Sequence, residues 1–148
     1  LIHIQVLFFY AREFVIFINS ADKQTKTDLL VKEGSSFSSL YFALENKPID
    51  IRQENKSITT VSGPTFICDL TFLDWFLSRQ HENVSTNYSI TIADVYIPDC
   101  VDMLVWSRTV LLKLDKKIES FDKKIEAIIS LGVVDKLCKM NHEMNKYL

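Results

Sequence analysis

The chain has 148 residues, of which 47% are hydrophobic and 11% aromatic, with a formal net charge of −2. That is enough apolar material for one domain with its own core, and too much for a disordered chain. The near-neutral balance shows no basic stripe, which excludes the electrostatic footprint of a nucleic-acid binder.

The first residue is Leu1 rather than Met, which suggests a fragment or a processed product. Residues 1–10 are strongly apolar but interrupted by His3 and Gln5, and are too short to span a bilayer. They lack a charged leader, so a buried strand is favoured over the remnant of a signal peptide. The β-branched and aromatic residues from Val6 to Ile18, broken at Arg12-Glu13, predict two strands or one bulged strand. Asn19 to Lys26 is polar and predicts a hairpin turn, followed by a strand at Asp28–Val31.

Gly34-Ser-Ser36 resembles a loop ending in a helix cap, and Phe37, Leu40, Tyr41 and Leu44 follow at helical spacing until Pro48. Ile49–Ile51 and Ser57–Val61 predict short strands. Ser62-Gly-Pro64 then opens a helix from Pro64 to Arg79, with proline suited to its first turn. That helix is apolar nearly all round, so Trp75 is expected to be buried. Gln80 to Ser89 predicts a loop, and Ile90–Ile92 and Val95–Ile97 predict brief strands. Pro98-Asp99 starts another amphipathic helix through Val101, Leu104, Val105 and Arg108. Lys113 to Lys124 is highly charged, with Glu119 and Lys123 an i,i+4 pair.

The C-terminal segment predicts a helical hairpin. Ile118, Phe121, Ile125 and Ile128 line one helix face, Gly132 supplies a left-handed cap, and Val134, Leu137, Met144 and Leu148 resume the stripe. Val133, Val134, Leu137 and Met140 spread around the second helix more widely than one core face needs, so this surface is a candidate for binding another protein chain.

The residues carry no catalytic, cofactor-binding or metal-binding pattern. His3, His81 and His142 are widely separated, and three glycines are too few for a phosphate cradle. Cys68, Cys100 and Cys138 lack metal spacing and each is expected to be a small buried hydrophobe. Asp69 and Asp74 stand five apart on the predicted helix, so they are expected to face different sides and meet solvent. Asn55-Lys-Ser57, Asn83-Val-Ser85 and Asn87-Tyr-Ser89 fit the glycosylation pattern, yet no cysteine framework accompanies them. A reducing, cytoplasmic or nuclear setting is therefore preferred.

The order of elements resembles the BTB/POZ superfamily, above all the S-phase-kinase-associated SCF adaptor and elongin C family. The resemblance is carried by Phe17-Ile-Asn-Ser-Ala-Asp22, Phe37–Tyr41, Ser57–Val61, Leu70–Trp75, Ile97-Pro98 and the stretch from Ala127 to Cys138. It covers about residues 14 to 145 and implies an α/β (α+β) fold; with the length, the expectation is a single domain over 1–148, mainly strands with one helix to residue 63 and mainly helical beyond. In it a small mixed sheet packs against a helical layer and ends in the hairpin. It also implies a non-enzymatic protein–protein interaction module or adaptor linked to a ubiquitin-ligase complex, with a cullin-like or F-box-like partner. Ala127-Ile128 stand near the pair that the adaptor presents to its cullin. Partner-binding residues are then Ala127, Ile128, Val133, Val134, Leu137 and Met140. Two other readings stay open: a secreted or cell-surface glycoprotein domain, because of the sequons, and an enzyme or regulatory subunit whose site assembles only in the fold.

Overall fold

The computed structural model describes residues 11–78 and 90–132. In chain order these form α1 (Ala11–Asn19), β1 (Asp22–Val31), β2 (Ser39–Ala43), β3 (Pro48–Gln53), β4 (Lys56–Ser62), β5 (Thr65–Ile67), α2 (Asp69–Ser78), β6 (Asp94–Ser107) and α3 (Arg108–Lys117). A further helix, α4, covers residues 121–132.

Among the described residues the strands make one six-stranded sheet in the order β4-β3-β6-β2-β5, with β1 paired to the other edge of β6. Every described ladder is antiparallel. This corrects the BTB/POZ reading and its mixed sheet: the architecture is a curled antiparallel half-barrel with helices on one side. β6 is the spine. Its first residues pair with β3, its last with β2, and β1 runs along its length.

Register explains the two faces. Val95, Ile97, Val101, Met103 and Val105 of β6 share one face with Tyr41, Ala43, Ile49 and Ile67, and these form a buried cluster inside the curl. Leu104 and Trp106 point the other way, with Leu40, Phe42 and Phe66, into a larger cluster under the helices. The helical reading of Pro98–Arg108 fails because Pro98-Asp99-Cys100 is an exposed irregularity inside β6, facing a register shift in β1. Proline is tolerated there, where no ladder N–H is required. The helical reading of 37–44 fails for a different reason. β2 is buried on both faces, so its apolar run has no period of two to betray it.

α1 replaces the strands expected over residues 11–18. Phe14, Phe17, Ile18 and Ala21 pack on the core while Arg12, Val15 and Asn19 are exposed, a helical period that tertiary packing imposes on β-prone residues. The Trp106 indole stacks on the Phe17 ring at a centroid distance of 4.6 Å, and its Nε1 donates to the Phe17 carbonyl at 2.9 Å. Lys124 of α4 and Glu13 of α1 form a half-buried ion pair at 2.7 Å. Trp75 is buried as expected, with the Arg108 guanidinium 5.2 Å from its ring centroid.

Ser107 caps α3, its hydroxyl accepting from the Val110 N–H. Ile118, Phe121, Ile125 and Ile128 are all buried, but Ile118 ends α3 and the next three belong to α4. The left-handed residue at this break is Ser120, with φ 54°. Gly132 is still helical, so the expected cap there is not formed.

On the outer face of β3, Asp50 accepts from the Ser57 hydroxyl and from Arg52 Nε, each at 2.5 Å, and Arg52 lies 4.3 Å from the Tyr96 ring centroid. The Ser57 hydrogen bond first, and then Arg52, hold the Asp50 carboxyl below its ordinary range. A carboxyl lowered in the fold contributes stability above its unfolded pKa, and that contribution disappears as pH falls through the lowered folded value. Asp50→Asn should therefore cost stability at about pH 6 and progressively less toward about pH 2 in urea melts. A pH-independent difference would remove the carboxylate's role.

Candidate functional site

A candidate site is the inner face of the curl where β5 turns into α2, its centre filled by buried side chains. Gly63 makes the turn possible. A Cβ there would stand 2.2 Å from the Glu45 carbonyl oxygen and 3.2 Å from the Ala43 Cβ. Thr65 and Ile67 of β5 share the inner face with Ala43 and Tyr41 across the β2 ladder. Cys68 then takes a left-handed conformation, φ 66°, which swings the chain from strand into helix. The Phe72 N–H closes the first turn on the Cys68 carbonyl at 2.9 Å, and Asp69 Oδ1 accepts from the Leu70 N–H at 3.1 Å.

The helix expected from Pro64 therefore starts five residues later, after a short strand. Asp69, expected in solvent, is buried, whereas Asp74 is exposed as expected. An acid at the first turn complements the helix dipole. Tyr41 stands across from Ile67. Burial pushes its phenol up from its ordinary pKa, against the hydrogen bonds to Ser38 and Ser39, with Cys68 adding to the rise.

The inner face is apolar at its centre, where Ile49, Ile97, Val101 and Met103 are fully buried. Toward its margins come half-buried groups: Gln24 and Lys26 opposite Met103 and Val101, Thr59 opposite Ile51, and Thr65 and Cys68 by α2. The described arginines lie elsewhere: Arg12 on α1, Arg52 on the outer face of β3 and Arg108 on α3. The polar side chains at the margins of this face are therefore the Thr59 and Thr65 hydroxyls, Gln24 and Lys26.

Of the sequence-predicted partner site, Ile128 is in the core and Ala127 is half-buried on α4, while Val133, Val134, Leu137 and Met140 lie outside the described residues. Cys68 is half-buried, but Cys100 is exposed, contrary to expectation; Cys138 lies outside the described residues. Asn55 is exposed at the β3–β4 turn; Asn83, Asn87 and the three histidines lie outside. Among the described residues, no group of His, Cys, Asp and Glu is arranged to hold a metal ion. No described helix is long and apolar enough to cross a membrane.

Solved structures superpose on this chain over most of its length, and their fold, with its antiparallel sheet, overturns the BTB/POZ adaptor reading and its ubiquitin-ligase link. A provisionally assigned cyclic nucleotide-binding protein from Geobacter metallireducens GS-15 superposes with a TM-score of 0.65 at 10% identity, over 87% of this chain and 89% of its own. The N-terminal domain of a transcriptional regulator from Streptomyces coelicolor A3(2) gives 0.60 at 14% identity, over 95% and 90%. The C-linker/CNBHD of zELK channels, crystallized in the presence of cAMP, gives 0.62 at 13% identity, over 84% of this chain and 58% of that one. At these identities the likeness is one of fold. No family model matches the sequence, and no curated protein matches it.

Sequence reasoning missed the inner face and the β5–α2 turn. The available signal was Ser62-Gly63-Pro64, a turn between two strands as readily as a helix start.

Proposed function

We propose that this chain is a non-catalytic, ligand-sensing regulatory domain that binds a cyclic nucleotide on the inner face of its curled sheet, beside the start of α2. The observation that carries the reading is the sheet topology with α2 inserted between β5 and β6. It matches proteins described by cyclic nucleotide binding or transcriptional regulation over at least 84% of the chain. The regulatory alternative left open by the sequence is the one this supports. An intracellular setting accords with the exposed, free thiol of Cys100.

Titration of the full chain with cAMP and cGMP, followed by calorimetry, tests this. The expected result is saturable one-to-one binding of at least one of them, with adenosine and guanosine as uncharged controls. Because the described arginines lie off the inner face, the phosphate should add less affinity than the base and ribose. Thr65→Val, at the margin beside α2, should weaken binding by about 1 kcal/mol or more, the value of one hydrogen bond, with little change in melting temperature. Absence of binding heat at millimolar concentrations of both nucleotides would end the proposal.

A further inference from the structure

The helical side of the molecule carries a second concave feature. α1 brings Arg12 and Ile16 to it, Ser20 follows just beyond the end of α1, and α3 brings Val110, Lys113, Leu114 and Lys117 at intervals of three and four. A cleft of about 470 Å³ lies along Arg12, Glu13, Ile16, Lys117 and Glu119, and a second of about 200 Å³ adjoins it at Lys117. Leu114 at its edge is buried, while Ile16 and Val110 are partly buried against the core.

The charges along the cleft are not balanced. Glu13 is neutralised by Lys124 at 2.7 Å. Arg12, Lys113 and Lys117 are exposed and make no ion pair among the described residues, and Glu119 is the acid facing them. An apolar floor with cationic rims, framed by two helices, has the shape and sign to receive a third helix. At 1.5 Å per residue, α1 and α3 run for roughly 13–15 Å, which suits about nine or ten residues of an incoming helix.

We propose that the α1–α3 cleft docks an acidic amphipathic helix from another protein. The docked helix would carry an apolar stripe at i, i+3, i+4 and i+7, flanked by Asp or Glu that meet Arg12, Lys113 and Lys117. A lipid surface fits less well, because the apolar side chains form the floor of a depression, whereas membrane docking needs them to protrude. α3 continues directly from β6 and α1 leads into β1, so the cleft is built on the two strands that pair along the edge of the curl. This inference rests on the cleft alone and stands whether or not the inner face binds a nucleotide.

The test uses the full chain and a fluorescent helical peptide of about 15 residues with leucines at the stated spacing and flanking glutamates. A second peptide carries lysines in place of the glutamates. Fluorescence anisotropy should show saturable binding of the acidic peptide and none of the basic one. Lys113→Glu with Lys117→Glu should weaken binding about tenfold or more at low salt, and Glu119→Lys should strengthen it. Both changes are at exposed positions, and unchanged melting temperatures would show that the fold is kept. Equal binding of the two peptides, no saturation by the acidic one, or full retention by the double variant would each overturn the proposal. Co-sedimentation with phosphatidylserine vesicles without peptide binding would overturn it too, and would assign the cleft to a membrane surface.

Discussion

Trp106→Ala should destabilise the protein by about 4 kcal/mol or more. Two losses combine. The indole is 1% exposed, stacked on Phe17 and near Phe66, so its removal leaves a cavity at the centre of the larger cluster. The Phe17 carbonyl also loses its Nε1 donor in a buried setting. Against a typical stability of about 5–15 kcal/mol, this unfolds a large fraction of molecules at moderate temperature. Trp106→Phe separates the terms, because it keeps an aromatic ring and should lose about 1–3 kcal/mol, mainly from the unmade hydrogen bond. Urea denaturation of the parent and both variants measures each loss. An alanine variant within about 1 kcal/mol of the parent would show that α1 is not anchored through this residue.

Gly63→Ala should cost about 2–4 kcal/mol despite adding a single methyl group. The added carbon would overlap the Glu45 carbonyl oxygen, a backbone atom that cannot rotate away. Its segment is pinned on both sides, by Leu44 N–H to the Asp102 carbonyl at 2.9 Å and Lys47 N–H to the Glu45 carbonyl at 3.0 Å. The same change at Gly132, on a helix with nothing within 4 Å, removes backbone freedom from the unfolded chain and should not lower the transition. If thermal melting ranks the two variants the other way, the close approach of the β5 turn to the β2–β3 connection is wrong.

Residues whose burial is one-sided were legible from sequence. Ile49–Ile51 and Ser57–Val61 became β3 and β4, and Ile118, Phe121, Ile125 and Ile128 are all buried, though a break at Ser120 divides them between two elements rather than one helix face. Those buried on both faces, or carrying a breaker, were not. β2 hides Leu40 and Phe42 on one side and Tyr41 and Ala43 on the other, which imitates a helix. β6 contains Pro98, which imitates a helix start until the facing register shift is seen. The BTB/POZ resemblance drew on short pieces of that kind, and their long-range pairing contradicts it.

The candidate site was less legible than the fold. The inner face is assembled from β1 through β6, so no local spacing announces it, and its central residues are ordinary core valines and isoleucines. The Asp69 position shows the difficulty. Between Cys68 and Leu70 it looked like a solvated interruption, but it is buried in the first turn of α2, where its carboxylate accepts from the Leu70 N–H.

Long-range closure also fixes when the molecule can fold. The Trp106–Phe17 bond joins residues 89 apart in sequence and the Glu13–Lys124 pair joins residues 111 apart. During synthesis β3–β4 and β2–β5 can form ribbons early, but they share no strand until β6 emerges between them. Until then both ribbons expose unpaired edges and apolar faces, and the larger cluster lacks Phe121 and Ile125 altogether. The fold therefore rests on non-local contacts that close only once β6 and the residues around Phe121 have joined the earlier strands, the kind of topology that slows folding.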